Sequence, residues 1–112
     1  MVGAAFERVS SGSVWEDAIG YSRAVRAGGH VHVSGTTAVD SSGRVVAPDD
    51  PGLQTEHILK IIETALHKFD LDRSHIVRTR VYLTRIVDWP AVGRAHAAFF
   101  GAERPASTLL QV

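Results

Sequence analysis

Two adjoining stretches, residues 56–69 and 76–83, constrain the fold more than anything else in this chain. Leu59, Ile62, Ala65, Leu66 and Phe69 recur at helical spacing, with Glu56, Lys60, Glu63 and His67 opposite them in three- and four-residue steps. Asp50-Pro51 marks the start of that helix, an N-cap residue followed by the residue best suited to a first turn. The period then changes. Ile76, Arg78, Arg80 and Tyr82 alternate with Val77, Thr79, Val81 and Leu83, a β-branched pattern of period two that predicts a strand. A helix with one apolar stripe beside a strand with one apolar face has to bury both, which calls for a helix layer on a sheet.

The remaining segments fill in that architecture. Asp88 is read as the cap of a second helix, with Pro90 near its first turn, Val92, Ala95 and Phe99 on one face, and Gly101 as its stop. Ser107–Val112 reads as a strand. Upstream, 6–10 is a short first strand and "RAVRAGGHVHVSGTT" is a hairpin turning at Gly28-Gly29, where positive φ is tolerated. The Ser/Gly-rich stretch "SSGSVWEDAIGYS" reads as a loop carrying Trp15 and Tyr21, and "VDSSGRVVAPDDPG" as a polar loop with a turn at Ser42-Gly43. The predicted order is β-β-β-α-β-α-β: an α+β sandwich with both helices on one face of a mixed sheet, in a single domain over 1–112.

Composition removes several function classes. There is no cysteine among the 112 residues, which excludes disulfides, thiolate zinc sites and cysteine nucleophiles. Twelve basic residues balance twelve acidic ones, so no long-range field draws nucleic acid or an anionic membrane. The same neutrality leaves no charge repulsion against self-association. Neither a signal-peptide pattern nor an apolar run of membrane-spanning length is present, so the expected location is the cytoplasm.

Residues that carry chemistry are sparse. His30 and His32 share a strand face, but no third ligand has helpful spacing, and the preferred reading is two half-exposed histidines; no metal site is expected. Ser34-Gly35 is either the polar lining of a strand end, where glycine lets a ligand approach the backbone, or a bulge. Tyr21 is a ligand-stacking aromatic or part of a loop lid. Arg78 and Arg80 fit a solvated strand face. There is no Gly-rich phosphate loop, GxSxG or dinucleotide fingerprint, and no cofactor is expected. Residue patterns alone give an α+β domain with a small-ligand cleft.

The ordered set "HVSGTTAVDSSGRVV", "QTEHILKIIETALHKFDLDRSHIVRTRVYL", "VDWPAVGRAHAAFF" and "RPAST" resembles the RidA/YjgF family, earlier labelled endoribonuclease L-PSP, over Tyr21 to Val112. The resemblance implies a chorismate-mutase-like fold, a homotrimer, and small-molecule clefts at the subunit interfaces. Active members hydrolyse enamines or imines to a 2-keto acid and ammonia, holding the substrate carboxylate with an arginine. Carried over by position, Tyr21 matches the cleft tyrosine and Ser34-Gly35 the Ser-Gly strand. Gly93 stands where deaminase members hold an asparagine. Ser107 follows Pro105-Ala106, where those members place the arginine; Arg104 is the nearest alternative. The resemblance also implies a closing strand bearing a catalytic glutamate, which is not in this sequence. The expectation is therefore a trimeric metabolite-binding protein without standard deaminase activity. The alternatives are an active imine deaminase using Arg104 and an RNA-cleaving or translation-inhibiting module, the latter opposed by the balanced charge.

Overall fold

A computed structural model describes residues 6–112. Strands β1 (Glu7–Val9), β2 (Ala24–Ala27) and β3 (His30–Val33) form an antiparallel sheet in that order. The β2–β3 hairpin turns where the glycine pair predicts, with Gly28 at φ 61° and Ala27 opposite His30. Beyond it the chain runs through the 37–50 loop, organised by Asp40. Its carboxylate accepts the backbone N–H groups of Ser42 (3.0 Å) and Arg44 (2.9 Å).

Helix α2 (Pro51–His67) begins as the sequence dictates, Asp50 accepting the Leu53 N–H at 3.0 Å with proline in the first turn. Leu59, Ala65 and Leu66 of its stripe are buried, as is Phe69 just beyond its end, and Ile62 is half-buried. Ala65 and Phe69 pack with Ala24 of β2, and Val9, Val31 and Leu71 close around them. This seats α2 on the antiparallel sheet by burying apolar surface.

Strand β4 (Arg78–Leu83) keeps its period of two, with Thr79, Val81 and Leu83 partly covered and Arg78, Arg80 and Tyr82 exposed. It pairs in parallel with β5 (Ala106–Gln111), Arg78 opposite Ala106 and Leu83 opposite Gln111. Between them α3 (Trp89–Phe100) packs beside α2. Gly52 of α2 faces α3, where a Cβ would meet the Ala91 carbonyl oxygen at 3.6 Å, an ordinary contact. The strands thus combine antiparallel and parallel pairing in an α+β fold. Among the described residues no ladder joins β3 to β4 or β5.

Three details depart from the sequence reading. The stretch read as a loop contains a six-residue helix, α1 (Val14–Ile19), because Ser13 accepts the Trp15 N–H at 3.3 Å and Gly20, at φ 88°, closes the other end in the left-handed conformation. Six residues are too few to show a helical period. Asp88 occupies the cap position of α3 but gives no side-chain cap bond, since a 3-10 turn (Ile86–Asp88) runs straight into the helix. The α3 face buries Phe100 rather than Phe99, whose ring instead lies under the Arg73 guanidinium at 4.0 Å.

Candidate functional site

The helix that the sequence reading missed builds the site. Glu16 of α1 is 3% exposed and faces back toward the chain before it. Its carboxylate accepts the Ser10 hydroxyl at 2.9 Å, the Ser11 N–H at 3.0 Å, and the Ser11 hydroxyl. On its other side stands Arg23, 5% exposed, whose Nε donates to Glu16 Oε2 at 3.4 Å. Burial works against ionisation of Glu16. The bonds from Ser11 and Ser10, with the charge of Arg23, outweigh it and hold the carboxyl below its usual range.

Arg23 is placed just ahead of β2 by two backbone bonds. Its N–H reaches Val9 of β1 at 2.9 Å and its carbonyl accepts the Ser34 N–H at 2.9 Å. From there the guanidinium gathers the ends of the sheet. Nη1 donates to the Gly35 carbonyl at 2.7 Å and to Thr36 Oγ1 at 2.9 Å, and Nη2 donates to Tyr21 Oη at 3.2 Å. The guanidinium carbon lies 5.4 Å from the centre of the Tyr21 ring. Thr36 passes the order on, its hydroxyl donating to the Ser34 carbonyl at 2.9 Å.

A cleft of about 320 Å³ opens in front of this network. Tyr21, Arg23, Gly35 and Thr36 form its floor, and Trp15, Asp40 and His57 stand among its walls. Gly43 gives Trp15 its place: at φ 88°, it would put a Cβ 3.1 Å from the indole Nε1 if it carried one. His57 is fixed by a 3.2 Å contact between Nε2 and the Val39 carbonyl. Asp40 stays ionised easily, because the backbone N–H of Arg44 and the Ser42 hydroxyl stabilise its charge. The lining is rich in hydroxyls, with Ser11, Ser13, Thr37 and Ser41 adding to those of Tyr21 and Thr36.

The sequence-predicted residues divide into two groups. Tyr21 and Gly35 line the cleft, and Ser34 sits immediately behind it, its hydroxyl donating to the Ser22 carbonyl at 2.6 Å. Gly93 lies in α3, Arg104 is exposed at the end of a 3-10 turn (Gly101–Glu103), and Ser107 is exposed on β5; none of the three lines the cleft. Ser107 belongs to a separate polar chain. Its hydroxyl accepts from Thr79 Oγ1 at 2.8 Å, and Thr79 Oγ1 lies 3.0 Å from His96 Nε2. His96 is tilted against the Phe100 ring at 4.6 Å, and burial pushes its imidazole below the usual value.

The profile of the endoribonuclease L-PSP family matches residues 15–112, nearly the whole of this structure. The chain belongs to that family. An uncharacterised protein of Streptomyces coelicolor is 42% identical over 112 residues, covering 100% of this chain and 83% of that one. The 3-aminoacrylate deaminase RutC of Acinetobacter baylyi is 32% identical over 92 residues, or 82% of this chain and 73% of that one. A crystal structure of a YjgF-family protein from Mycobacterium tuberculosis superposes with a TM-score of 0.83 at 44% identity, covering 96% of this chain and 85% of that one.

Glu16 and Arg23 were absent from the sequence-derived site, though a signal was available. Ser13-Val14-Trp15-Glu16 has the spacing of a capping box and announces a helix start in this L-PSP-family chain. Here Glu16 turns away from that role to Ser10 and Ser11, and its meeting with Arg23 depends on the fold of the hairpin.

Proposed function

We propose that this protein binds a small metabolite in clefts completed between subunits of a homotrimer, in the cytoplasm, without standard enamine or imine deaminase activity. The observation that carries the reading is the division just described. Tyr21, Ser34 and Gly35 gather at one cleft, while Ser107, at the position the resemblance matches to the carboxylate-binding arginine, presents a hydroxyl on an exposed strand outside the cleft lining. A neighbouring copy would bring its Gly93 and Ser107 to the open side of the cleft. A serine hydroxyl gives a carboxylate one hydrogen bond, where arginine gives two charge-assisted ones. Arg104, exposed at its turn, offers no preset replacement.

The second reading is an active deaminase, favoured by the likeness to RutC. A coupled deaminase assay on freshly generated 2-iminopropionate separates the two. Wild-type protein is expected to run close to the uncatalysed rate, and robust turnover would defeat the first reading. Ser107→Arg should bind 2-oxobutyrate more tightly, by about tenfold for each 1.4 kcal/mol recovered. Light scattering should give three subunit masses; a single mass would remove the shared cleft.

A further inference from the structure

An arginine on the floor of a cleft invites the idea that it holds an acid. The geometry points the other way. We infer that this cleft takes an uncharged carbonyl compound, such as an amide, ester or ketone, and discriminates against free carboxylates, because Glu16 neutralises Arg23 while Gly35, Thr36 and Tyr21 occupy most of its N–H groups. The inference rests on the cleft being the ligand site and adds the charge class of what enters it.

Five observations support it. The guanidinium already donates to Glu16, Gly35, Thr36 and Tyr21, which leaves one of its five N–H groups without a partner among the described residues. Glu16 cancels its charge from behind, at 2% side-chain exposure, where no solvent screens the pair. Among the described lining residues Arg23 is the one permanent cation, whereas Asp40 adds a carboxylate to the wall. An incoming carboxylate would therefore lose its hydration, gain no free cation and face a like charge. An uncharged carbonyl fares better. Tyr21 Oη accepts from Arg23, which leaves its phenolic proton free to donate to a ligand acceptor. The half-exposed Trp15 provides an apolar wall for the rest of the molecule.

The test compares 2-oxobutyrate with 2-oxobutanamide, which share a skeleton and differ in charge. Binding is followed by NMR shifts of the Tyr21 and Gly35 amides. Wild type is expected to prefer the amide by about tenfold or more. Glu16→Gln, which keeps the shape but removes the charge, should shift the preference toward the acid by a similar factor, a gain that mere loss of structure does not produce. Equal or tighter binding of the acid by wild type overturns the inference, as does an unchanged preference in a folded Glu16→Gln. A formate titration read on the Arg23 Nη2 proton signal, the nitrogen that keeps an unpartnered N–H, decides the point without either ketone. The signal should stay fixed in wild type and move in Glu16→Gln, and movement in wild type overturns the inference. If neither ketone shifts the cleft signals, the cleft reading itself fails, while the formate result still shows whether Glu16 neutralises the guanidinium.

Discussion

Arg73 meets Glu63 through two short bonds, 2.7 and 2.6 Å, whereas Arg23 reaches Glu16 through one of 3.4 Å. By pair geometry the first is stronger, a bidentate fork on a carboxylate. Their surroundings reverse the ranking. The Arg73 side chain is 41% exposed and also donates to the Phe99 carbonyl at 2.6 Å, clamping α2 and the end of α3 around the turn that leads into β4. Arg23 and Glu16 are 6% and 2% exposed, and each divides its bonds among loop and strand ends. A pair with good geometry at the surface fastens two elements, and solvent reduces what it contributes. A buried pair with looser geometry positions many groups at once.

Removing one partner of the buried pair should produce the largest effect. Arg23→Ala leaves Glu16 charged and enclosed, and should cost about 3 kcal/mol of stability, the lower part of the range for a broken buried pair, since Ser10 and Ser11 still serve the carboxylate. Urea denaturation measures it. A loss no larger than that from Arg73→Ala would mean that pair geometry, not burial, sets the cost. The double variant Glu16→Leu with Arg23→Leu should recover much of the stability while losing ligand binding, which would separate the pair's role in the cleft from its role in folding.

Arg73→Ala comes second. The clamp is partly solvated, so a smaller drop in melting temperature is expected, with looser amide-exchange protection confined to the turn at Arg73–His75 and the last turn of α3. Uniform loss of protection across the antiparallel sheet would show that the clamp supports the whole fold.

These differences bear on what could be read beforehand. The long periodic elements were legible: α2 through its stripe and Asp50-Pro51 start, β4 through its alternation, and the hairpin through Gly28-Gly29. Each records a local rule repeated several times. Of the residues lining the cleft, Tyr21 and Gly35 were singled out from residue type, each with a structural alternative, and the family resemblance favoured the cleft reading. The buried pair was not legible, because it is a tertiary meeting of a six-residue helix with a residue ahead of β2, and no period marks it. The Phe99–Phe100 exchange has a similar cause. The two rings are adjacent, and each meets partners distant in sequence or on another turn: Phe99 lies under Arg73, and Phe100 packs on His96.

The smallest expected effects lie in the titrations, and they separate the two pairs by cause. Both carboxyls sit below their unfolded values, so their stabilisation is complete above the ordinary carboxylate range, about 4.3, and is lost as pH falls through the lower folded values. His96 acts earlier: burial lowers its folded value, so stability begins to decline as pH falls below the ordinary imidazole value of about 6.5. For Glu63 the hydrogen bond from Arg73 leads and outweighs desolvation. Arg73→Gln should therefore return its midpoint toward the ordinary range. For Glu16 desolvation is the largest influence and opposes ionisation, and the Ser11 and Ser10 bonds do most to overcome it, ahead of the Arg23 charge. Ser11→Ala should consequently raise the Glu16 midpoint further than Arg23→Gln does, read from side-chain carboxyl carbon shifts. The opposite order would make Arg23 the chief stabiliser of that charge. The guanidinium would then be committed to Glu16 even more firmly than its 3.4 Å contact indicates.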